Sequence, residues 1–393
     1  MAIFRFFIQR SGWRAATRLV MLGGLLISGC VGIRLTRVLI ARPIDWTTYG
    51  GSGARMNLSS TSLTPPLKVI WEYGAVGGLR ATPLVRDSIM MIGTLKGDIQ
   101  AVHIGKKERV GSITVEAAVI GTPAWEHPRL YVPSANGKET MACYDLESSM
   151  KRWSAQVGHL ESSPLLLNDV LFVTSLNGSL YCLRKLDGRE IWRFDTAEKE
   201  QRKPIHSSVA SDGEILVFGC DDGGIYAVNA LSGTLRWKYH AEASVVATPV
   251  IVQGKAIVGS FDGTIVALDL QSGRLVWKFS AKAKVYAPAA SNGQTVFCGA
   301  SDGMVYALDV ASGSLVWKFS AHSIVNAAPL VAGDFLYVTS LDRTVHALQV
   351  QDGKERWNYV ASGRIKVSPV IWGDMLFLSV EDNQVVILKS EGR

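Results

Sequence analysis

The chain of 393 residues has only five cysteines, and no two of them are adjacent, so no vicinal disulfide can form. Its seven histidines are scattered along the chain without metal-ligand spacing, which speaks against a zinc or iron centre. No Ser, His and Asp constellation stands out for nucleophilic catalysis. An acidic loop of alternating Asp and Asn, the pattern that holds calcium, is also missing. Charge is sparse at 19%, and no acidic residue precedes Leu19, whereas Arg5, Arg10, Arg14 and Arg18 do. The formal charge of +7 is therefore largely a property of the leader: beyond it, 37 basic residues face 34 acidic ones. That balance argues against a nucleic-acid partner. No catalytic residue, metal ligand or cofactor is nominated.

What is present is repetition. Hydrophobic residues make up 48% of the chain, enough for a large core. Residues 262–281 read DGTIVALDLQSGRLVWKFSA and residues 302–321 read DGMVYALDVASGSLVWKFSA, identical at fourteen of twenty positions. A period of forty residues marks repeated supersecondary units. Within one unit, Asp262-Gly263 supplies the positive φ of a tight turn, Thr264 to Leu268 reads as a strand, Ser272-Gly273 turns again, and Leu275 to Phe279 is another strand. Val245 to Val252 and Lys255 to Gly259 add two more. Four short strands per forty residues make a propeller blade.

Two markers count the blades. Last-strand tryptophans fall at Trp71, Trp153, Trp192, Trp237, Trp277, Trp317 and Trp357, with an empty slot near Ile113. First-strand prolines fall at Pro83, Pro123, Pro164, Pro249, Pro288, Pro329 and Pro369, with Ser208 in the missing slot. Each series counts eight. Trp71 precedes every such proline, and after Pro369 the chain runs through Met375 to Ser379 and Gln384 to Leu388 and stops before another last-strand tryptophan. The strand Val69 to Tyr73 is therefore expected to complete the last blade and close the ring, leaving no exposed edge at the seam. The expected fold is an all-β, eight-bladed propeller over residues 67–393.

The N-terminus has its own signature. After the four arginines comes LVMLGGLLISGC, an apolar run of about signal-peptide length. Ile27-Ser28-Gly29-Cys30 resembles the lipobox of bacterial lipoproteins, which implies a signal peptide over 1–29 and a lipid on Cys30. An uncleaved anchor and a plain cleaved signal are the alternatives, and all three export the body of the protein. Residues 30–66, with Pro43, Pro65, Pro66 and the run Gly50-Gly51-Ser52-Gly53, read as a tether and lead-in without regular structure. Within it, DWTTYGG at 45–51 looks like the lead-in of quinoprotein-type propellers.

The pattern YALD, a short turn, Ser/Thr/Asp-Gly, three residues and Trp, at 226–237, 266–277, 306–317 and 346–357, resembles the PQQ-type β-propeller repeat. That resemblance covers about residues 67–390. It is shared by quinoprotein dehydrogenases and by non-enzymatic proteins, notably the BamB-type lipoproteins that assist outer-membrane protein assembly. The dehydrogenases would imply a calcium site, a catalytic aspartate and often a vicinal disulfide over the quinone; this chain has no adjacent cysteines, no calcium-ready acidic loop and no long inter-blade insertions to build such a pocket. The expectation is a non-catalytic scaffold on the periplasmic side of the envelope, anchored to the outer membrane through Cys30. Its partners would be envelope proteins, among them a barrel-assembly outer-membrane protein, and it would act as a monomer within a complex. A ligand-binding or sensory propeller is the alternative, and a quinoprotein dehydrogenase the last.

The recurring tryptophans are expected to be structural, packing between blades and pinning a turn by the indole N–H. Asp269 and Asp309 should bond local backbone. Cys143, Cys182, Cys220 and Cys298 read as small buried strand residues with free thiols. Departures from the repeat are where function is sought. One is the charged insert before blade 4, with Glu198, Lys199, Arg202 and Lys203 as candidate partner contacts. The other is the set three residues before each first-strand proline, at one channel mouth: Arg80, Ile120, Glu161, Ile205, Val246, Val285, Asn326 and Lys366. Arg80, Lys366 and the nearby Arg364 would form a basic patch suited to an acidic peptide or sugar acid.

Overall fold

The structure, a computed structural model, describes residues 32–36 and 39–391; Cys30 and the apolar run before it lie outside that range. Eight four-stranded antiparallel sheets follow one another along the chain. Blade 1 consists of Leu84–Arg86, Ile89–Gly93, Asp98–His103 and Glu108–Thr114, and blades 2 to 7 repeat that order over 124–155, 165–195, 210–240, 250–280, 290–320 and 330–360. Blade 8 takes three strands from the C-terminus, Val370–Trp372, Met375–Val380 and Gln384–Ser390, and its outer strand, Leu67–Gly74, from the N-terminus. That strand pairs along Gln384–Ser390 from Leu67 opposite Ser390 to Gly74 opposite Gln384, so the expected closure is the one observed.

The residues explain the layering. Middle strands such as Lys255–Gly259 and Thr264–Asp269 are apolar on both faces because each blade is sandwiched between two others, and they are almost fully buried. Outer strands alternate, as in Leu275–Ser280, where Trp277 is buried while Leu275, Val276 and Lys278 face solvent. Trp277 donates its indole N–H to the Val310 carbonyl of the next blade (2.9 Å), and Trp153, Trp237 and Trp317 do the same to Lys185, Leu270 and Val350. The ring lies against the turn glycine of that next blade. A Cβ on Gly313 would stand 2.6 Å from Trp277 Cδ2, and Gly313 also has φ +72, so only glycine fits there. Trp153, Trp237, Trp277 and Trp317 thus join blades. Asp269 and Asp309 accept from Ser272 and Ser312 within their turns, and the four cysteines from Cys143 onward are free and buried.

The empty tryptophan slot is Gly111, not Ile113: Gly111 pairs with Ala101 as Trp277 pairs with Ala267. The chain's own N-terminal segment fills the space. Gly32 and Ile33 lie against Gly111, where a Cβ would meet the Gly32 carbonyl oxygen at 2.8 Å. Leu35 N–H donates to the Leu146 carbonyl (2.7 Å), the acceptor that an indole uses in other blades. Ile33 and Leu35 are buried in the core shared by blades 1 and 2.

Candidate functional site

The lead-in does more than connect. From Trp46 to Thr61 it circles one end of the channel and touches every innermost strand. Trp46 exchanges two backbone hydrogen bonds with Val85 of blade 1, and Trp125 N–H of blade 2 donates to Thr47 O. Ser211, Ile251, Ser291 and Val331, one from each of blades 4 to 7, donate to the carbonyls of Gly53, Ala54, Met56 and Asn57. Thr61 Oγ1 reaches the Gly373 carbonyl of blade 8 (3.0 Å). In blades 1, 2 and 4 to 7 an edge N–H beside the channel is satisfied by lead-in main chain.

Arg55 pins this floor. It is 1% exposed and donates to the carbonyls of Val209 (2.9 Å), Pro164 (3.2 Å) and Tyr49, and to Thr48 Oγ1 (3.1 Å). Its guanidinium also lies 5.5 Å from the centre of the Tyr49 ring. Burial pushes the Tyr49 phenol up to about 12 and the Arg55 guanidinium down to about 10, each partly offset by the other. The stretch DWTTYGG is therefore a stopper for the channel, and residues 32–66 as described are packed segment, not a loose tether.

The other end is open and forms a blind well of about 210 Å³ with Tyr49 at its base. Its wall is a ladder of hydroxyl residues handing hydrogen bonds from blade to blade: Thr82 N–H to Thr122 Oγ1, Thr122 to Ser163, Ser163 to Ser208, Ser208 to Thr248, and Ala328 to Ser368. This ladder corrects two mouth positions. Ser208 aligns with Thr248, so the first-strand proline slot of blade 4 is Val209; Pro288 aligns with Thr248 as well, one residue earlier than other blade prolines. The mouth therefore carries His206 and Tyr286, while Ile205 and Val285 are buried in the wall.

With that shift the mouth becomes polar. Arg80, Glu161, His206, Asn326 and Lys366 line it, against Ile120, Val246 and Tyr286. His206 Nδ1 meets Glu161 Oε2 at 3.0 Å and its Nε2 lies 3.5 Å from Asp221. The hydrogen bond raises His206 and lowers Glu161, and burial raises Asp221. Lys366 is held by Glu381 (2.5 Å), and Arg364 is exposed beside that pair. Arg80 and Lys366 both line the well, but the acids Glu161, Asp221 and Glu381 offset them.

The charged insert lies on the same face as the mouth. Glu198, Lys199 and Lys203 are exposed, with one 3-10 turn over Lys199–Gln201. Arg202 folds inward onto Asp195 (2.8 Å), Ser179 (3.2 Å) and the Ala197 carbonyl (3.0 Å).

Fold and well together define a PQQ-type propeller whose channel is stoppered at one end. The family model for the outer membrane protein assembly factor BamB matches residues 103–194, 177–318 and 261–393, and the chain belongs to that family. BamB of Shewanella oneidensis is 22% identical over 212 residues, 49% of this chain and 51% of the relative, so this match spans about half that protein's length. BamB of Bordetella pertussis is 34% identical over 111 residues, 28% of this chain and 27% of its own. Quinoprotein alcohol dehydrogenase PedH of Pseudomonas putida is 28% identical over 108 residues, 25% of this chain and 18% of its own. Among solved structures, BamB from Moraxella catarrhalis superposes with TM-score 0.70 at 18% identity, over 82% of this chain and all of that one. Quinohemoprotein alcohol dehydrogenase ADHIIG of Pseudomonas putida does so with TM-score 0.76 at 14% identity, over 92% and 83%.

The quinoprotein dehydrogenases share the fold, and a quinone beside calcium would need oxygen ligands converging near the well. Among the described residues no three His, Cys, Asp or Glu side chains converge on a metal position. The well is also smaller than the ~300 Å³ at which ligand pockets begin.

Proposed function

We propose that this protein is a non-catalytic envelope scaffold of the outer-membrane protein assembly class, held on the periplasmic side of the outer membrane through a lipid on Cys30. The observation that carries the reading is the family match over residues 103–393. Such a scaffold works by presenting loops and exposed strand edges to a membrane-embedded partner and to extended client segments. Glu198, Lys199 and Lys203 are the insert's free contacts for a barrel-assembly outer-membrane protein, while Arg202 holds the insert's shape. The protein would serve as one copy within a larger assembly.

A pull-down from solubilised membranes tests it, comparing wild type with a chain in which residues 198–203 are replaced by a short Gly-Ser link. Recovery of an outer-membrane barrel-assembly protein by wild type and its loss with the replacement is the expected result. If wild type enriches no envelope protein, the assembly role falls. The second reading, a small-ligand receptor, would use the stoppered well, whose volume of about 210 Å³ admits only a compound of a few heavy atoms and whose mouth offers mixed charge from Arg80, Lys366 and the Glu161–His206 pair.

A further inference from the structure

The four most exposed large apolar side chains among the described residues are Leu231 (89%), Leu186 (64%), Met150 (63%) and Ile40 (62%). They share one face. Leu186 and Leu231 tip the outer turns of blades 3 and 4, whose glycines Gly188 and Gly233 pack on Trp153 and Trp192. Met150 follows Ser149, the equivalent turn residue of blade 2. Ile40 belongs to the lead-in between Leu35, bonded at Leu146, and Trp46, bonded at Val85. The tip position carries a large apolar side chain in blades 3 and 4; it is Glu147 in blade 2, where Met150 lies three residues further on, and Gln271, Ala311 and Gln351 in blades 5 to 7.

This is also where the described chain begins. A Cβ on Gly32 would stand 1.8 Å from Ser149 Oγ, so the N-terminal segment is seated on the blade 2 turn itself. Cys30 lies two residues before Gly32 in the sequence, so a lipid on it would be tied to this rim by a link of two residues at ~3.3–3.6 Å each. Under either a lipid on Cys30 or an uncleaved anchor, the membrane is brought against this face.

We propose that the rim of blades 2 to 4 on the stoppered face is a membrane-docking surface, with Leu231, Leu186, Met150 and Ile40 seated at the headgroup boundary of the bilayer. Exposed Arg34, beside Ile33 at the start of the described chain, suits a lipid phosphate, whereas Arg152 is taken up by Asp145 (2.6 Å). Scattered single apolar residues need no explanation, but a cluster confined to the blades beside the point of attachment does. The ring is then tilted onto one edge, and the open mouth and the charged insert face away from the membrane. The proposal rests on the membrane attachment argued above.

The test uses the full chain reconstituted into phospholipid vesicles, labelled with an environment-sensitive dye at L231C, L186C, Q271C or, on the opposite face, K282C. The four thiols from Cys143 onward are buried, with pKa values pushed up to about 12, so once Cys30 is blocked by its lipid or by C30S in a retained anchor each introduced thiol is selectively reactive. Flotation is read first: a chain that does not float with the vesicles overturns the attachment itself. For a chain that floats, brominated lipid should quench the labels at 231 and 186 about twofold or more beyond that at 271, and leave 282 unaffected. Equal quenching at all four positions, or none at 231 and 186, overturns the docking surface while the attachment stands.

Discussion

Blades 5 and 1 join their next neighbours by different means. Blade 5 lays Trp277 over Gly313 and donates an indole N–H to the Val310 carbonyl. Blade 1 has Gly111 in that slot, and a strip of main chain from Gly32 to Leu35 lies in the gap and donates a backbone N–H to the Leu146 carbonyl. The joint therefore requires an apolar filler and one donor at the turn carbonyl, and does not require an indole. The difference lies in what each joint ties down: blade 5's filler fastens only two blades, whereas blade 1's fastens the blades to the chain's N-terminus.

Removing the filler on the tryptophan side should have the largest effect. Trp277→Ala deletes a buried ring, leaves the Val310 carbonyl without its donor and opens a cavity between blades, a loss of about 3–5 kcal/mol. Calorimetry should show a thermal midpoint lowered by several degrees. A midpoint within one degree of wild type would mean that the blades hold without their filler. Arg55→Ala should follow at about 2–4 kcal/mol, because it strands several buried acceptors in the floor. Arg80→Ala at the exposed mouth should stay within about ±0.5 kcal/mol. Equal losses for the two arginines would deny that floor and mouth differ in kind.

On the blade 1 side the expected loss is smaller and its signature different. Leu35→Pro removes the N–H that bonds Leu146, at about 1–2 kcal/mol. It should also free the segment, so that trypsin cuts after Arg37, the bond after Arg34 being made resistant by the proline itself, at a protein concentration and time where wild type is spared. Unchanged cleavage would mean that the segment is held by Ile33 alone.

How much of this was legible depends on whether side chains or main chain make the contact. Blade number, closure by Leu67–Gly74 and the tryptophan joints were legible because each rests on a residue type recurring every forty positions. The phase of two mouth positions was not, because Pro288 has slipped by one residue and blade 4 has no proline at all. With one-residue slips a buried Ile205 is exchanged for a titratable His206, so the polar mouth was read as half apolar. The floor was opaque for a different reason. Gly53, Ala54, Met56 and Asn57 contribute backbone carbonyls, which any residue carries, and only DWTTYGG hinted that the lead-in had a shape. The glycine at 111, ten residues after Ala101, was the available sign that something other than a side chain fills that joint.

The smallest effect concerns pH and separates the mouth from the floor once more. His206 is raised by its hydrogen bond with Glu161, so its stabilising contribution is full below its unfolded value near 6.5 and is lost as pH rises through its folded value. Glu161 is lowered by the same bond, so its contribution is present above about 4.5 and lost as pH falls through its folded value. The pair therefore contributes most between those two values, and only modestly, since both side chains are more than a third exposed. His206→Gln should leave the midpoint at pH 8 close to that of wild type and lower it at pH 5.5, whereas Arg55→Ala should cost the same at both. If His206→Gln is equally destabilising at pH 5.5 and pH 8, the histidine acts by packing alone, and the mouth, like the floor, is held without regard to charge.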